Sequence, residues 1–207
     1  MSKRSETAIQ TRERLFDEAL TLFSQKGYAA TSIRDILDAA KVTQPTLYYH
    51  FAGKADLFQA LIERYYDESH TWMSQVMAAE STVEGKLLAF AVSSFEYCGT
   101  DPRIPRLMFQ TYFGPTVPEI DGILDKLTER RFRIVVDIMD EGIRQGILQA
   151  ASADLLALTF CSLVDQPINL FSRKAHPKRY LTVELANAII AIFLNGASTR
   201  SEFNAAE

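Results

Sequence analysis

Two short amphipathic segments, joined with almost no linker, constrain this chain more than any other feature. The first occupies residues 31–42, TSIRDILDAAKV. Its apolar residues recur at the i, i+3, i+4 and i+7 spacing of one helix face: Ile33, Ile36, Leu37 and Ala40. Polar residues occupy the opposite face, so the pattern predicts a short helix that packs on a core through one side.

The second segment, residues 43–51, is TQPTLYYHF and predicts another short helix that begins at once. Thr43 suits an N-cap, and Pro45 lies in the first turn, where a missing N–H costs nothing. Leu47 and Phe51 are four residues apart and should face a core. The remaining side chains then point outward: Thr46, Tyr48, Tyr49 and His50. Exposed aromatic and hydroxyl groups suit phosphate oxygens and base edges, as on the second helix of a helix-turn-helix.

The longer run from residue 31 to residue 62 is TSIRDILDAAKVTQPTLYYHFAGKADLFQALI. It resembles the DNA-binding domain of TetR-family transcriptional regulators, and the resemblance covers roughly residues 8 to 64. The shared features are a threonine-capped helix, a short x-V-T turn, a T-L-Y-Y-H-F recognition helix, and a lysine that opens the next long helix. The resemblance implies fold and architecture, and it leaves the identity of any ligand open.

An all-α fold of about nine helices follows from this resemblance. An N-terminal three-helix DNA-binding domain with the helix-turn-helix would cover residues 1–53. A larger helical ligand-binding and dimerisation domain would cover residues 54–207. The long helix that begins near Lys54 would join the two domains, because no Gly, Ser or Pro linker interrupts it.

The predicted DNA contacts lie on both short helices and at the start of the long one: Ser32, Arg34, Thr43, Gln44, Thr46, Tyr48, Tyr49, His50 and Lys54. Gln44 and Thr46 suit base edges, because glutamine pairs with adenine and a threonine methyl can touch thymine. Lys54 would bind phosphate together with the N–H groups of its helix. Structural alternatives stay open: the tyrosines could be packing residues, His50 a helix cap, and Arg34 a partner of Asp38.

The net charge of −4 argues against a nucleic-acid binder, but the charge is unevenly distributed. Residues 1–54 carry eight Lys and Arg against six Asp and Glu, which gives +2. The remaining residues carry fourteen against twenty, which gives −6. The basic side chains therefore favour the predicted DNA-binding end, although an ordinary solvated surface would have the same composition.

Helical patterns continue along the chain, punctuated by proline and glycine. A first helix near residues 7–26 should end at Gly27. The helix from Lys54 extends past residue 77, and further helices are expected near residues 82–100, 102–113, 117–145, 152–173 and 179–196. Pro167 should kink its helix or start a new segment.

The last two predicted helices are apolar on more than one side and must be buried on several faces. The family resemblance implies that they pack against their copies in a second subunit. A two-fold homodimer would present two recognition helices to a palindromic DNA operator. The alternative is that both helices belong only to the core of a monomer.

The second domain is rich in aromatic residues and methionines, most of which should fill its core. The resemblance implies that some of them line a pocket for a small-molecule effector, with a few polar groups for orientation. The candidates are Trp72, Met73, Tyr97, Met108, Phe109, Tyr112, Phe113, Asp165, Gln166 and Asn169. Asp165 and Asn169 would line a cavity or meet partner groups, because burying them unpaired would be costly.

No metal site, cofactor or catalytic motif is predicted. The three histidines lack ligand-spaced neighbours, and Cys98 and Cys161 suit reduced core thiols. The N-terminus lacks an apolar signal core and no long apolar run occurs, so we expect a cytoplasmic protein with no membrane partner. The sequence thus predicts a ligand-responsive repressor rather than an enzyme. Two alternatives are an all-helical small-molecule binding protein without DNA function and an enzyme with a dispersed active site.

Overall fold

The computed structural model describes residues 3–197, and within this range the chain forms nine α-helices and no extended strand. The helices are α1 (Lys3–Lys26), α2 (Ile33–Ala40), α3 (Gln44–His50), α4 (Lys54–Met77), α5 (Val83–Thr100), α6 (Arg103–Phe113), α7 (Asp121–Arg144), α8 (Ala153–Phe171) and α9 (Val183–Ala197). A short 3₁₀ helix, Pro177–Arg179, lies between α8 and α9. The predicted all-α fold is confirmed.

Helix boundaries agree with the periodic pattern in most places and differ at a few ends. Gly27 has a φ of +80° and follows the end of α1, as predicted. The last helix starts at Val183, four residues later than predicted, because the preceding turn is taken up by the 3₁₀ helix. α8 continues through Pro167, so no new segment starts there, and the alternative of a kink stays a prediction. Val164 and Ile168 are buried on the two sides of the proline, and their packing holds the helix together.

The chain divides into two compact units that interleave in sequence. Unit 1 contains the chain up to Asp67 together with Arg103–Asp125. Unit 2 contains Glu68–Pro102 and the chain from Lys126 onward. Helix α4 therefore starts in unit 1 and ends in unit 2, and α6 belongs with the N-terminal helices. The functional division after residue 53 stays a prediction.

The core of unit 1 forms where α1, α2, α3 and the first half of α4 meet. Its fully buried members are Leu15, Phe16, Ala19, Leu20, Phe23, Ile36, Ala40, Leu47, Leu57, Phe58 and Leu61. The Phe16 and Phe51 rings meet edge to face at 5.3 Å, and the Phe23 and Phe58 rings do so at 4.8 Å. Such pairs add to the hydrophobic stabilisation of the core and fix the orientation of the helices.

Helix α6 is fastened to α1 within unit 1 by polar contacts. Arg103 donates from Nη2 to Oδ1 of Asp17 at 2.7 Å and from Nη1 to Oγ1 of Thr21 at 2.7 Å. Two helical turns later, Gln110 donates to the main-chain oxygen of Ser24 at 3.2 Å. These contacts hold α6 against α1 within unit 1.

Unit 2 is organised around α5, which contacts both α8 and α9. Its core contains a chain of aromatic rings, with Phe90 at 5.8 Å from Phe160 and Phe160 at 5.2 Å from Phe193. The guanidinium of Arg131 lies 4.9 Å from the Phe90 ring and donates to both carboxylate oxygens of Asp165, at 2.7 and 3.1 Å. This bidentate pair satisfies two charged groups beside an apolar core.

The outer face of α8 and α9 remains apolar in the single chain. Large apolar side chains there are between 58% and 66% exposed: Leu155, Leu158, Leu170 and Ile192. The opposite faces of the same helices are buried, through residues such as Phe160 and Ile190. Several large apolar side chains exposed near one another are a typical mark of a contact surface.

The two cysteines are free thiols within unit 2. Burial raises the pKa of Cys98 to about 12 and that of Cys161 to about 11, with small opposing contributions from Arg131 and Asp165. Both side chains therefore stay protonated near neutral pH, which fits the prediction of core thiols.

Candidate nucleic-acid interface

Helix α2 begins at a complete capping box. The hydroxyl of Ser32 accepts the N–H of Asp35 at 3.1 Å, while an Asp35 carboxylate oxygen accepts the N–H of Ser32 at 2.9 Å. The N-cap is therefore Ser32, and the expected threonine cap is wrong. The Thr31 hydroxyl instead donates to the main-chain oxygen of Gly27 at 2.8 Å. Ser32 holds the helix start in place, and its predicted DNA contact stays a prediction.

A tight turn separates the two short helices. Lys41 follows α2 in the left-handed region, with φ 53° and ψ 45°, and its N–H donates to the carbonyl of Leu37. This conformation closes α2 and lets α3 begin three residues later. The Lys41 side chain is exposed beside the turn.

Helix α3 starts at Thr43, although this residue caps it differently from the prediction. Thr43 has the extended backbone of an N-cap, but its hydroxyl makes a 2.8 Å hydrogen bond with the Thr46 hydroxyl and none with a main-chain N–H. Pro45 occupies the first turn, as predicted. Leu47 is fully buried and Phe51 is 3% exposed, so the predicted inner face is confirmed.

The outer face of α3 presents aromatic and polar groups. Tyr48 is 47% exposed and Tyr49 is 77% exposed, and Gln44 is exposed at the first turn. The packing alternative for Tyr49 is therefore weakened, since so little of its ring is covered. The Tyr49 and His50 rings meet edge to face at 4.9 Å. This cluster forms a surface with hydroxyl, amide and imidazole groups directed outward.

His50 sits half-buried at the end of α3. Partial burial lowers its pKa below the usual 6.5, and the nearby positive charge of Arg12 lowers the pKa further. The imidazole is therefore mainly neutral at pH 7, with one nitrogen that donates and one that accepts.

Lys54, predicted to anchor phosphate, already has partners inside unit 1. Its ammonium donates to the main-chain oxygens of Tyr28 at 3.0 Å and Thr31 at 2.9 Å. It also lies 4.1 Å from the centroid of the Tyr28 ring. These contacts hold the connection between α1 and α2 against the start of α4. The geometry favours a structural role for the side chain, and its phosphate contact remains untested.

The nine predicted DNA-contact residues all lie at or beside the helix-turn-helix, yet they differ in availability. The exposed members are Ser32, Arg34, Thr43, Gln44, Tyr48 and Tyr49. Thr46, His50 and Lys54 are half-buried. Arg34 is paired with Asp38 at 3.8 Å, as the structural alternative predicted. Such an exposed pair is weak and would not prevent a phosphate contact.

The ten predicted effector residues are divided between the two units. Met108, Phe109, Tyr112 and Phe113 belong to α6 in unit 1, and the other six belong to unit 2. Tyr112 and Phe113 are exposed, whereas Met73 is buried. The polar candidates in unit 2 are partly engaged, because the Tyr97 hydroxyl donates to Glu68 at 3.2 Å and Asp165 pairs with Arg131.

A groove of about 520 Å³ in unit 2 lies between α5 and the start of α9. Its walls are Val92, Phe95, Glu96, Thr100, Lys178, Leu181, Thr182, Val183 and Glu184. None of the predicted effector residues lines this groove, so it differs from the predicted pocket. Between residues 3 and 197 no three metal-binding side chains form a cluster, and no helix is long and apolar enough to span a membrane.

Comparisons with known proteins agree with the motif. Residues 15–61 match the family model described as bacterial regulatory proteins, tetR family. Over 129 residues the chain is 36% identical to the HTH-type transcriptional repressor ComR of Escherichia coli K12. This alignment covers 61% of each protein. Over 149 residues it is 27% identical to the HTH-type transcriptional activator FasR of Mycolicibacterium smegmatis, covering 72% of this chain and 66% of FasR. These alignments span less than two thirds of either relative.

The structure also resembles that of the transcriptional regulator FadR from Bacillus subtilis in complex with stearoyl-CoA. The TM-score is 0.75 at 19% sequence identity, and the match covers 89% of this chain and 98% of FadR. At this identity the likeness establishes a shared fold across almost the whole chain and no shared ligand.

Substitutions at two residues of this surface should differ in their effect on protein stability. Lys54→Met should lower the free energy of unfolding by about 1–3 kcal/mol, because two partly buried carbonyl oxygens lose their charged donor. Tyr49→Ala should change it by less than about 0.5 kcal/mol, because the ring is mostly exposed. Urea denaturation followed by circular dichroism measures both. An unchanged Lys54→Met variant would show that the ammonium is not needed for folding and is available to DNA.

Proposed function

Because this chain belongs to the TetR family of bacterial regulatory proteins, we propose that it is a ligand-responsive repressor that binds a palindromic DNA operator as a homodimer. One observation carries the proposal: α3 has a buried inner face and an outer face of exposed tyrosines, hydroxyls and amide. A protein with these tasks would act in the cytoplasm, as the sequence predicts.

The alternatives have less support. A small-molecule binding protein without DNA function would gain nothing from exposing Tyr48 and Tyr49 on a well-ordered short helix. Both curated relatives described above are transcriptional regulators, not enzymes. One of them is an activator and the other a repressor. The family therefore admits either direction of control, and repression is the direction we propose.

The homodimer would form through the outer face of α8 and α9. Leu155 and Leu158 lie on the same face of α8, and Ile192 is the most exposed large apolar residue of α9. Burying such a face against its own copy gives a two-fold interface, and the hydrophobic gain scales with the area covered. The same two-fold symmetry would place two copies of α3 opposite two half-sites.

The effector would be a small, largely hydrophobic molecule. The FadR structure contains stearoyl-CoA, which supports a fatty-acyl thioester as the first candidate for this chain. The candidate pocket residues on α6 are mainly aromatic, with the Phe109 and Phe113 rings parallel at 6.0 Å. Apolar and aromatic linings of this kind suit an acyl chain.

Effector binding could reach the DNA-binding helices by two routes. Helix α4 starts next to α3, which is the route expected from the sequence. Helix α6 provides a second, because Arg103 and Gln110 fasten it to α1. An effector that favours a different position of either helix would lower operator affinity by about 5–150-fold, equivalent to about 1–3 kcal/mol of coupling.

The DNA-binding proposal can be tested with the duplex upstream of the protein's own gene. In a mobility-shift titration the wild-type protein should bind this duplex more tightly than a random-sequence duplex. Tyr49→Ala should weaken specific binding by about ten-fold, because it removes an exposed contact on α3. Urea denaturation of the same samples controls for folding. Absence of any shift by folded wild-type protein at low salt would exclude the regulator.

The dimer proposal can be tested by placing a charge on the apolar face. Ile192→Arg and Leu158→Arg should each convert a dimer into a monomer of 23.3 kDa, because an unpaired buried charge is costly. Ile147→Arg is the matched control, since Ile147 is an exposed apolar residue outside α8 and α9. Sedimentation velocity distinguishes the two masses. A dimer that persists in both interface variants would place the interface elsewhere.

The effector proposal has a built-in reporter, because Trp72 is the only tryptophan in the chain. Stearoyl-CoA should change the fluorescence of Trp72 and reduce operator affinity over the same concentration range. Coenzyme A without an acyl chain is the control and should do neither, since it lacks the hydrophobic group. If stearoyl-CoA changes neither signal, long-chain fatty-acyl thioesters are excluded as the effector class, while DNA binding stands on its own assay.

A further inference from the structure

A basic side chain outside the helix-turn-helix lies against the end of α3. The guanidinium of Arg12, on α1, is 4.4 Å from the centroid of the Phe16 ring and 5.4 Å from that of Phe51. Phe51 directly follows α3, and its ring packs edge to face on Phe16. The two rings therefore fix the guanidinium beside the last turn of the recognition helix.

Three other arginines of unit 1 have carboxylate partners. Arg64 pairs with Glu13 at 2.7 Å, Arg103 with Asp17 at 2.7 Å, and Arg34 with Asp38 at 3.8 Å. Arg12 is exposed and, within the part of the chain that the structure describes, makes no ion pair. Its positive charge is thus available to an external anion.

Electrostatics place Arg12 close to the recognition helix as well. The charge of Arg12 contributes to the lowered pKa of His50, second only to partial burial of the imidazole. An effect of this kind requires proximity, because exposed charges are screened within about 8–10 Å at ordinary salt.

We propose that Arg12 binds a phosphate of the DNA backbone next to the major-groove contacts of α3 and so holds that helix in register. This inference rests on the proposed DNA-binding function. A guanidinium that lies over an aromatic ring keeps its planar N–H edge directed to solvent, where it can donate two parallel hydrogen bonds to phosphate oxygens. The matching occupant is the phosphodiester backbone, since the site offers one uncompensated cation and no apolar groove.

Measurement of salt dependence tests this assignment directly. Each phosphate neutralised by the protein contributes about 0.9 to the slope of log affinity against log salt. Arg12→Met keeps apolar cover over Phe16 and Phe51 but removes the charge. It should weaken binding to operator and to random-sequence duplex alike, by about ten-fold at 0.1 M salt, and reduce the slope by about one per protomer bound.

Two further variants make the test specific. Arg14→Met removes an exposed cation two residues along α1, which points to another side of the helix, and it should leave both affinity and slope unchanged. Arg12→Lys keeps the positive charge but lacks the two parallel N–H groups of a guanidinium. It should keep the slope of log affinity against log salt. Fluorescence anisotropy with both duplexes gives the slopes, and circular dichroism melts report folding of each variant.

The results separate this inference from the function on which it rests. If the wild type binds operator and Arg12→Met has the same affinity and slope, Arg12 does not contact DNA. Weaker binding with an unchanged slope would assign Arg12 to packing around Phe51 and overturn the phosphate contact. If folded wild-type protein binds neither duplex at low salt, the DNA-binding function itself fails.

Discussion

The structure depends first on how a seven-residue helix is held in place. Helix α3 is too short to be stable alone, because nucleating a helix fixes several residues for each hydrogen bond gained. Leu47 and Phe51 supply the missing stabilisation through packing, since both are buried in the core of unit 1 and Phe51 meets Phe16 edge to face. Tyr48 and Tyr49 point outward as a direct result. The exposed surface of α3 is therefore a property of the core beneath it.

Two positively charged side chains join the helices of unit 1 to one another. The connection between α1 and α2 has main-chain carbonyl groups that need donors, and Lys54 supplies two hydrogen bonds to Tyr28 and Thr31. Arg103 joins α6 to α1 through hydrogen bonds to the side chains of Asp17 and Thr21. In both places a cation joins elements that are distant in sequence. Changes in α6 are consequently coupled to α1, and changes at the start of α4 to the segment that precedes α2.

Much of this organisation follows from local patterns in the sequence. Periodicity identified the helices, the buried role of Leu47 and Phe51, and the outward position of Tyr49, while family resemblance supplied the architecture. Contacts between distant residues could not be predicted in this way. Lys54 meets main-chain atoms 23 and 26 residues earlier, and Arg103 meets side chains 82 and 86 residues earlier. The family resemblance also implied a threonine cap, whereas Ser32 forms the capping box of α2 with Asp35.

Net charge gives a poor guide to DNA binding here, because what matters is which cations remain uncompensated. Arg34, Arg64 and Arg103 are offset by carboxylates, and Lys54 is engaged with main-chain oxygens. Exposed cations such as Arg12 and Lys41 are then left to neutralise phosphate, and non-specific affinity rises with the number of such cations. A dimer doubles the number and presents two copies of α3 at once. Specific binding by so acidic a chain, at −4 overall, would therefore require the apolar face of α8 and α9 as much as the recognition helix itself.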